Sequence, residues 1–96
     1  MIFYYYSTNQ KKKNILLEEV FEKIDNYPEN EEFQGVYNKR LFVQWFKVED
    51  ETFYVEKVIS GEEQYHQEVS IETLKKIVED FFSGGNLEIG VWIRNE

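Results

Sequence analysis

The stretch from Arg40 to Ser60 constrains this chain more than any other. It reads RLFVQWFKV, then EDE, then TFYVEKVIS. Two runs rich in Val, Ile, Phe, Tyr and Trp flank a short acidic break, the pattern of a β-hairpin. In the first run Leu41, Val43 and Trp45 share one face, and Phe42, Gln44, Phe46 and Val48 share the other. In the second, Phe53, Val55, Lys57 and Ile59 oppose Tyr54, Glu56 and Val58. Both faces are partly apolar, which predicts central strands covered on more than one side. The connection Glu49-Asp50-Glu51 contains no glycine, so a loop longer than a two-residue primed turn is expected.

A hairpin of this kind needs further elements to complete a core, and the flanking sequence supplies them. Ile2 to Tyr6 is a short aromatic strand, with Ile2, Tyr4 and Tyr6 on one face and Phe3 and Tyr5 on the other. Ser7 to Lys13 is polar and basic, a turn or a ragged helix start. The spacing of Leu16, Leu17, Val20, Phe21 and Ile24 predicts a helix from about Ile15 to Asn26, capped by Asn14 and ended ahead of Pro28. Phe33 to Tyr37 reads as a short strand with Gly35 as a bulge. Asn38-Lys39 reads as a turn into the hairpin.

Beyond the hairpin, Ser60-Gly61-Glu62 turns the chain into a polar strand, Glu63 to Val69. Tyr65 and Val69 are expected inward, and Gln64, His66 and Glu68 outward. A second helix follows from Ile71 to Ser83 with Ser70 as its cap, and Val69 and Leu74 stand where a hydrophobic staple would form. Its stripe is Ile71, Leu74, Ile77, Val78, Phe81 and Phe82, with Glu72–Lys76 and Lys75–Glu79 as pairs on the wet side. Gly84-Gly85 supplies a left-handed cap. Leu87 to Ile93 reads as a closing strand with Leu87, Ile89, Val91 and Ile93 inward and Trp92 on the other face. The fold class is α+β: one domain over residues 1–96, with a mostly antiparallel sheet of about five or six strands and two helices on one face.

Composition narrows the chemistry. Of 96 residues 19 are acidic and 11 are Lys or Arg, for a net charge of −8, and there is no cysteine and one histidine. Such a chain repels nucleic acid and anionic lipid and attracts basic partners. No run approaches the length of a membrane-spanning helix, and the N-terminal MIFYYY lacks the basic lead of a signal peptide, so a cytoplasmic protein is expected. No nucleophile stands beside a base, and His66 in its polar run reads as a surface histidine. Glu49-Asp50-Glu51 and Glu62-Glu63 match no calcium-binding pattern, and zinc-type ligand spacings are missing. No enzyme activity, metal or cofactor is expected. Lys11-Lys12-Lys13 reads as a solvated patch, and with Lys39-Arg40 it is the only cluster suited to neutralising phosphates, too little for nucleic-acid binding.

The sharpest charge concentration runs from Glu18 to Glu32, where seven acids face the single Lys23. Glu18, Glu19, Glu22 and Asp25 fall on the outer side of the first helix, and Glu29, Glu31 and Glu32 on the loop after it. Together with Tyr54 and Trp92, the latter expected to be the more exposed of the two tryptophans, these residues form the candidate partner-binding set. Trp45 and Tyr4 to Tyr6 are the remaining aromatic anchors, read as core or cross-strand packing.

The run VSIETLKKIVEDFFSGGNLEIGVWI, from Val69 to Ile93, resembles the closing segment of a bacterial immunity-protein family. The likeness lies in an amphipathic helix ending in Phe81-Phe82, a glycine at 84 or 85, and a strand bearing Trp92. It covers about a quarter of the chain, and the proline common after that glycine is replaced here by Asn86-Leu87. The resemblance implies a protein that neutralises a toxin, commonly a nuclease or deaminase. Two other readings stand beside it. One is a phage-encoded antagonist of a nucleic-acid-targeting defence system, acting as an acidic mimic of nucleic acid. The other is a small regulatory or ligand-binding module, monomeric or joined as a homodimer through an edge strand.

Overall fold

The computed structural model describes residues 2–6, 11–29, 31–59 and 63–95, with only the backbone of Tyr5 and Tyr6. The turn expected at Ser60 to Glu62 and the first half of the Ser7 to Lys13 segment lie outside them. The chain forms β1 (Phe3–Tyr6), β2 (Lys11–Lys13), α1 (Leu17–Asp25), β3 (Gln34–Tyr37), β4 (Leu41–Glu49), β5 (Thr52–Ile59), β6 (Gln64–Ser70), α2 (Ile71–Phe82) and β7 (Ile93–Arg94). All pairings are antiparallel, in the order β2-β1-β3-β4-β5-β6-β7. The α+β architecture stands, with a seventh strand gained at one edge. That strand, β2, is the lysine triplet that the sequence suggested as a turn or a helix start.

Sheet alternation then decides what is buried. Tyr4, Val36, Val43, Trp45, Phe53, Val55 and Val69 all point to one side, where Val20 and Ile24 of α1 and Leu74, Ile77, Val78 and Phe81 of α2 meet them in a single core. At its centre the Trp45 indole N–H donates to the Gln34 side-chain oxygen at 3.0 Å. The Gln34 amide in turn donates to the Lys23 carbonyl at 3.2 Å, tying α1 to β4. Both polar ends of this buried pair are satisfied, as burial requires.

Among the described residues the opposite side carries no helix. The expectation that both hairpin faces are covered therefore fails for a simple reason: two helices spanning nine and twelve residues pack side by side on one face and leave none for the other.

Several local readings change. The first helix begins at Leu17, and Asn14 does not cap it. Asn14 sits at φ +59 with its N–H on the Ile2 carbonyl, while the Glu19 carboxylate accepts from the Leu16 N–H at 3.1 Å. Leu16 is thereby turned outward and is 56% exposed. Gly35 is in regular register between Tyr5 and Gln44, with no bulge. The β4–β5 ladder extends to Glu49 opposite Thr52, so the connection is shorter than expected: Asp50 and Glu51 alone lie outside it. Of these only Glu51 has positive φ, at +62, and the ladder slips between Lys47 and Glu49. A bulge absorbs the twist that a glycine-containing primed turn would otherwise supply.

The closing strand also fails over most of its length. Leu87 at φ +58 and Gly90 at φ +79 break the extended run, and only Ile93–Arg94 pair with β6. Leu87 is buried, but Val91 is 78% and Ile93 55% exposed, against the inward placement expected of them. The buried side chain of Gln67 substitutes for the ladder. It donates to the Ile89 carbonyl at 2.8 Å and accepts from the Val91 N–H at 3.0 Å. A Cβ on Gly90 would lie 2.2 Å from that same Gln67 oxygen, so another residue here would displace Gln67 from its hydrogen bonds and be strained at positive φ.

Other readings hold. Ser70 caps α2 by accepting from the Thr73 N–H, Gly84 takes φ +78 after its end, and Asn38 builds the turn into β4 with its side-chain oxygen on the N–H groups of Arg40 and Leu41. Lys75 reaches Asp25 on the other helix at 2.6 Å, in place of the Glu79 pairing expected.

Candidate functional site

The uncovered face of the sheet is built in rows that run across the strands. In the first, Lys13, Phe3, Tyr37, Phe42, Val58 and Gln64 are successive partners. The rings of Phe3 and Tyr37 are stacked at 5.1 Å with 17° between planes, and Tyr37 meets Phe42 at 6.3 Å. In the next, Lys11, Tyr5, Gly35, Gln44, Glu56, His66 and Ile93 follow one another. In the third, Phe46 pairs with Tyr54 and Tyr54 with Glu68. The Phe46 and Tyr54 rings stack at 4.8 Å, and Tyr54 stacks on the His66 ring at 5.5 Å.

Between the two aromatic groups lies a polar network. The Gln44 amide donates to one Glu56 oxygen at 2.8 Å, and the Asn95 amide donates to the other at 3.2 Å. The Asn95 side-chain oxygen contacts His66 Nδ1. His66 is therefore only partly exposed and is held at both its face and its edge, unlike the free surface histidine that its polar neighbours suggested. Partial burial pushes the Tyr54 phenol above its usual range, and the Glu56 and Glu68 carboxylates add to the rise.

At the β3–β4 turn the first row ends in a hollow of about 400 Å³ lined in part by Tyr37, Phe42, Val58, Lys39 and Arg40. A second of about 580 Å³ adjoins it between Phe3 and the same turn. Lys11, Lys13, Lys39 and Arg40 are exposed and, among the described residues, enter no ion pair.

The residues singled out from sequence do not form one surface. Glu18, Glu22 and Glu29 are exposed on α1 and the loop after it, Glu32 is exposed, and Glu31 is half-buried. Glu19 is bound by Lys12, whose ammonium holds its carboxyl below the usual range with help from the Leu16 N–H, and Asp25 is paired with Lys75. Two of the seven acids are thus matched by cations from other elements. Tyr54 lies on the open face. Trp92 lies on the covered side, where its ring takes the Lys57 ammonium at 4.6 Å and its indole N–H donates to the Leu87 carbonyl at 2.6 Å. It is more exposed than Trp45, as expected, but it serves as a lid over Lys57. Burial there lowers the pKa of that lysine, opposed by the nearby Glu88.

Phe46, Phe42, Tyr37 and His66 belong to the open face and were missed as a group. The alternation that set Phe42 and Phe46 opposite Trp45 contained the signal, which was lost by assuming cover on both sides.

Among the described residues no helix is long and apolar enough to cross a membrane, and no three His, Asp or Glu side chains are grouped to hold a metal ion. No protein-family model, curated protein or solved structure matches the chain.

Proposed function

We propose that this chain is a non-enzymatic binding protein that neutralises another protein by covering it with the open face of its sheet, and that it acts as an immunity protein against a bacterial toxin of the nuclease or deaminase type. The observation that carries this reading is the uncovered sheet face, where Phe3, Tyr37 and Phe42 form one aromatic group and Phe46, Tyr54 and His66 another. Aromatic side chains held rigid by their neighbours lose little entropy on docking and are the side chains that dominate interface energies. The polar network of Gln44, Glu56 and Asn95 between them would fix the orientation of a partner.

The net charge of −8 serves the approach. An enzyme that acts on nucleic acid presents a basic surface, and Glu18, Glu22 and Glu29, on the far side of the sheet from the open face, add to the net negative field that draws it in at low salt. Pairing of Glu19 with Lys12 and of Asp25 with Lys75 thins this acidic array, which argues against its imitating the closely spaced phosphates of nucleic acid. The helix layer steers, and the sheet holds.

The test is capture of the partner from the native host, followed by titration of the partner's enzymatic activity with purified protein. Exchange of Phe46 and Tyr54 for Ser should weaken inhibition by about a hundredfold or more, chiefly through faster dissociation. Exchange of Glu18, Glu22 and Glu29 for Gln should slow association several-fold at low salt and leave dissociation unchanged. Undiminished inhibition by the Phe46/Tyr54 variant would overturn the reading.

A further inference from the structure

We infer that the corner of the open face formed by Lys13, Phe3, Tyr37 and the Lys39-Arg40 turn seats an acidic segment of the partner protein, a stretch in which Asp or Glu alternates with apolar side chains. The inference rests on the reading above in taking the partner to be a protein. It begins from the placement of charge. Acids outnumber bases by 19 to 11, yet three of the eleven cations, Lys13, Lys39 and Arg40, gather here with no carboxylate partner among the described residues, and Lys11 lies one row away on the same strand as Lys13. Elsewhere Lys12, Lys75 and Arg94 are each matched to an acid, while Lys47 and Lys76 stand exposed and apart from one another. Lys13 stands beside Phe3 in register, Phe3 beside Tyr37, and Lys39 and Arg40 follow within three residues, so cations bracket the Phe3–Tyr37 stack from two sides.

Ring geometry selects between anionic partners. Coplanar rings lying side by side on a sheet would need centroids farther apart than the 5.1 Å observed, and the planes are within 17° of parallel. The two rings therefore stand against each other across neighbouring strands, and their edges point outward. A nucleic-acid base stacks on a ring face, and one face of each of these rings is taken by the other. A ring edge is the positive part of the aromatic quadrupole and favours carboxylate and carbonyl oxygens. The hollow of about 400 Å³ beside Tyr37 and Phe42 accepts an apolar side chain between two carboxylates held by Lys39 and Arg40. A long polyanion would also feel the remaining charge of the chain, whereas a short acidic segment meets only this corner.

Peptide probes test the corner without the partner. A synthetic peptide alternating Glu with Leu and Phe, its Gln counterpart and an oligothymidylate of equal length are titrated into isotope-labelled protein and followed by NMR. The Glu peptide should shift the amides of Tyr37 to Phe42 saturably. The Gln peptide, and the Glu peptide on a Lys39→Ala/Arg40→Ala variant, should bind about tenfold more weakly or less. Both side chains are exposed on a turn held by Asn38, so the variant keeps its fold, which circular dichroism checks. Absence of saturable Glu-peptide binding to the wild type, or equal affinity for the Glu and Gln peptides, would overturn the inference. So would tighter binding of the oligothymidylate, which would make the corner a nucleic-acid seat. The partner experiment reads Phe46 and Tyr54 and this one reads Lys39 and Arg40, so each can fail alone.

Discussion

The two faces of this sheet are made from the same kinds of residues and put to different ends. On the covered face Trp45, Phe53 and Tyr4 lie fully buried under two helices, and the Trp45 indole is satisfied internally by Gln34. On the open face Phe46, Tyr54 and Phe3 keep part of their surface in water and lean on one another across the strands. Aromatic content says how much ring area a chain carries, while the number and placement of helices say which rings are structural and which remain available.

Adjacent residues test that contrast most directly. Trp45→Ala removes a buried ring and leaves Gln34 without its donor, so unfolding free energy should fall by about 3–5 kcal/mol. Phe46→Ala, one residue on, removes a ring that is 38% exposed and should cost about 1 kcal/mol, the order of one aromatic pair. Urea denaturation of both variants measures the difference. Equal losses would mean that the open face is as much a part of the core as the covered one.

Gln67→Ala comes next in size. It strips partners from the Ile89 carbonyl and the Val91 N–H while the rest of the covered face stays packed. A loss of about 1–3 kcal/mol is expected. Amide hydrogen exchange at Val91 should accelerate far more than at Val55 in the centre of the sheet. Uniform acceleration across β5 would show that the final segment is not a separately opening unit.

The smallest effect distinguishes one tyrosine on each side. Burial, reinforced by Glu31, pushes the Tyr27 phenol up to about 12, and its ring meets Phe53 edge-on at 5.7 Å. A raised folded-state pKa means that the proton is held more tightly in the native state than in the unfolded chain. The associated stability is therefore complete below pH 10 and is lost as pH rises from 10 through about 12. Tyr27→Phe should flatten that alkaline loss. Ultraviolet titration of the phenols should show Tyr27 among the last to ionise, after Tyr54 on the open face, and ionisation of Tyr27 before Tyr54 would reverse the assignment.

Much of this architecture was legible in the sequence because it rests on local signals. The hairpin runs, the stripe from Leu74 to Phe81, the Ser70 cap and the Asn38 turn each depend on a few adjacent residues. What was not legible depends on residues distant in the chain. Nothing near Leu87 to Ile93 announces that Gln67, some twenty residues earlier, will take over its backbone hydrogen bonds. Nothing in the acidic run from Glu18 announces that Lys12 and Lys75 will meet Glu19 and Asp25. The candidate site suffered in the same way. Tyr54 was identified, but its neighbours Phe46 and His66 come from strands on either side, and their union depends on register that no single strand encodes.

The two margins of the sheet bear on how the molecule behaves in company. One is β2, three consecutive lysines, and the other is β7, only two residues long. A broad antiparallel sheet with a greasy exposed surface would ordinarily invite copies of itself to add strand upon strand into fibres. Here two copies meeting through β2 would set lysine against lysine, and head-to-tail addition would offer β2 only the two residues Ile93 and Arg94, the latter another cation. Growth of the sheet from copy to copy is therefore disfavoured at its margins, and contact with another molecule is left to its open face.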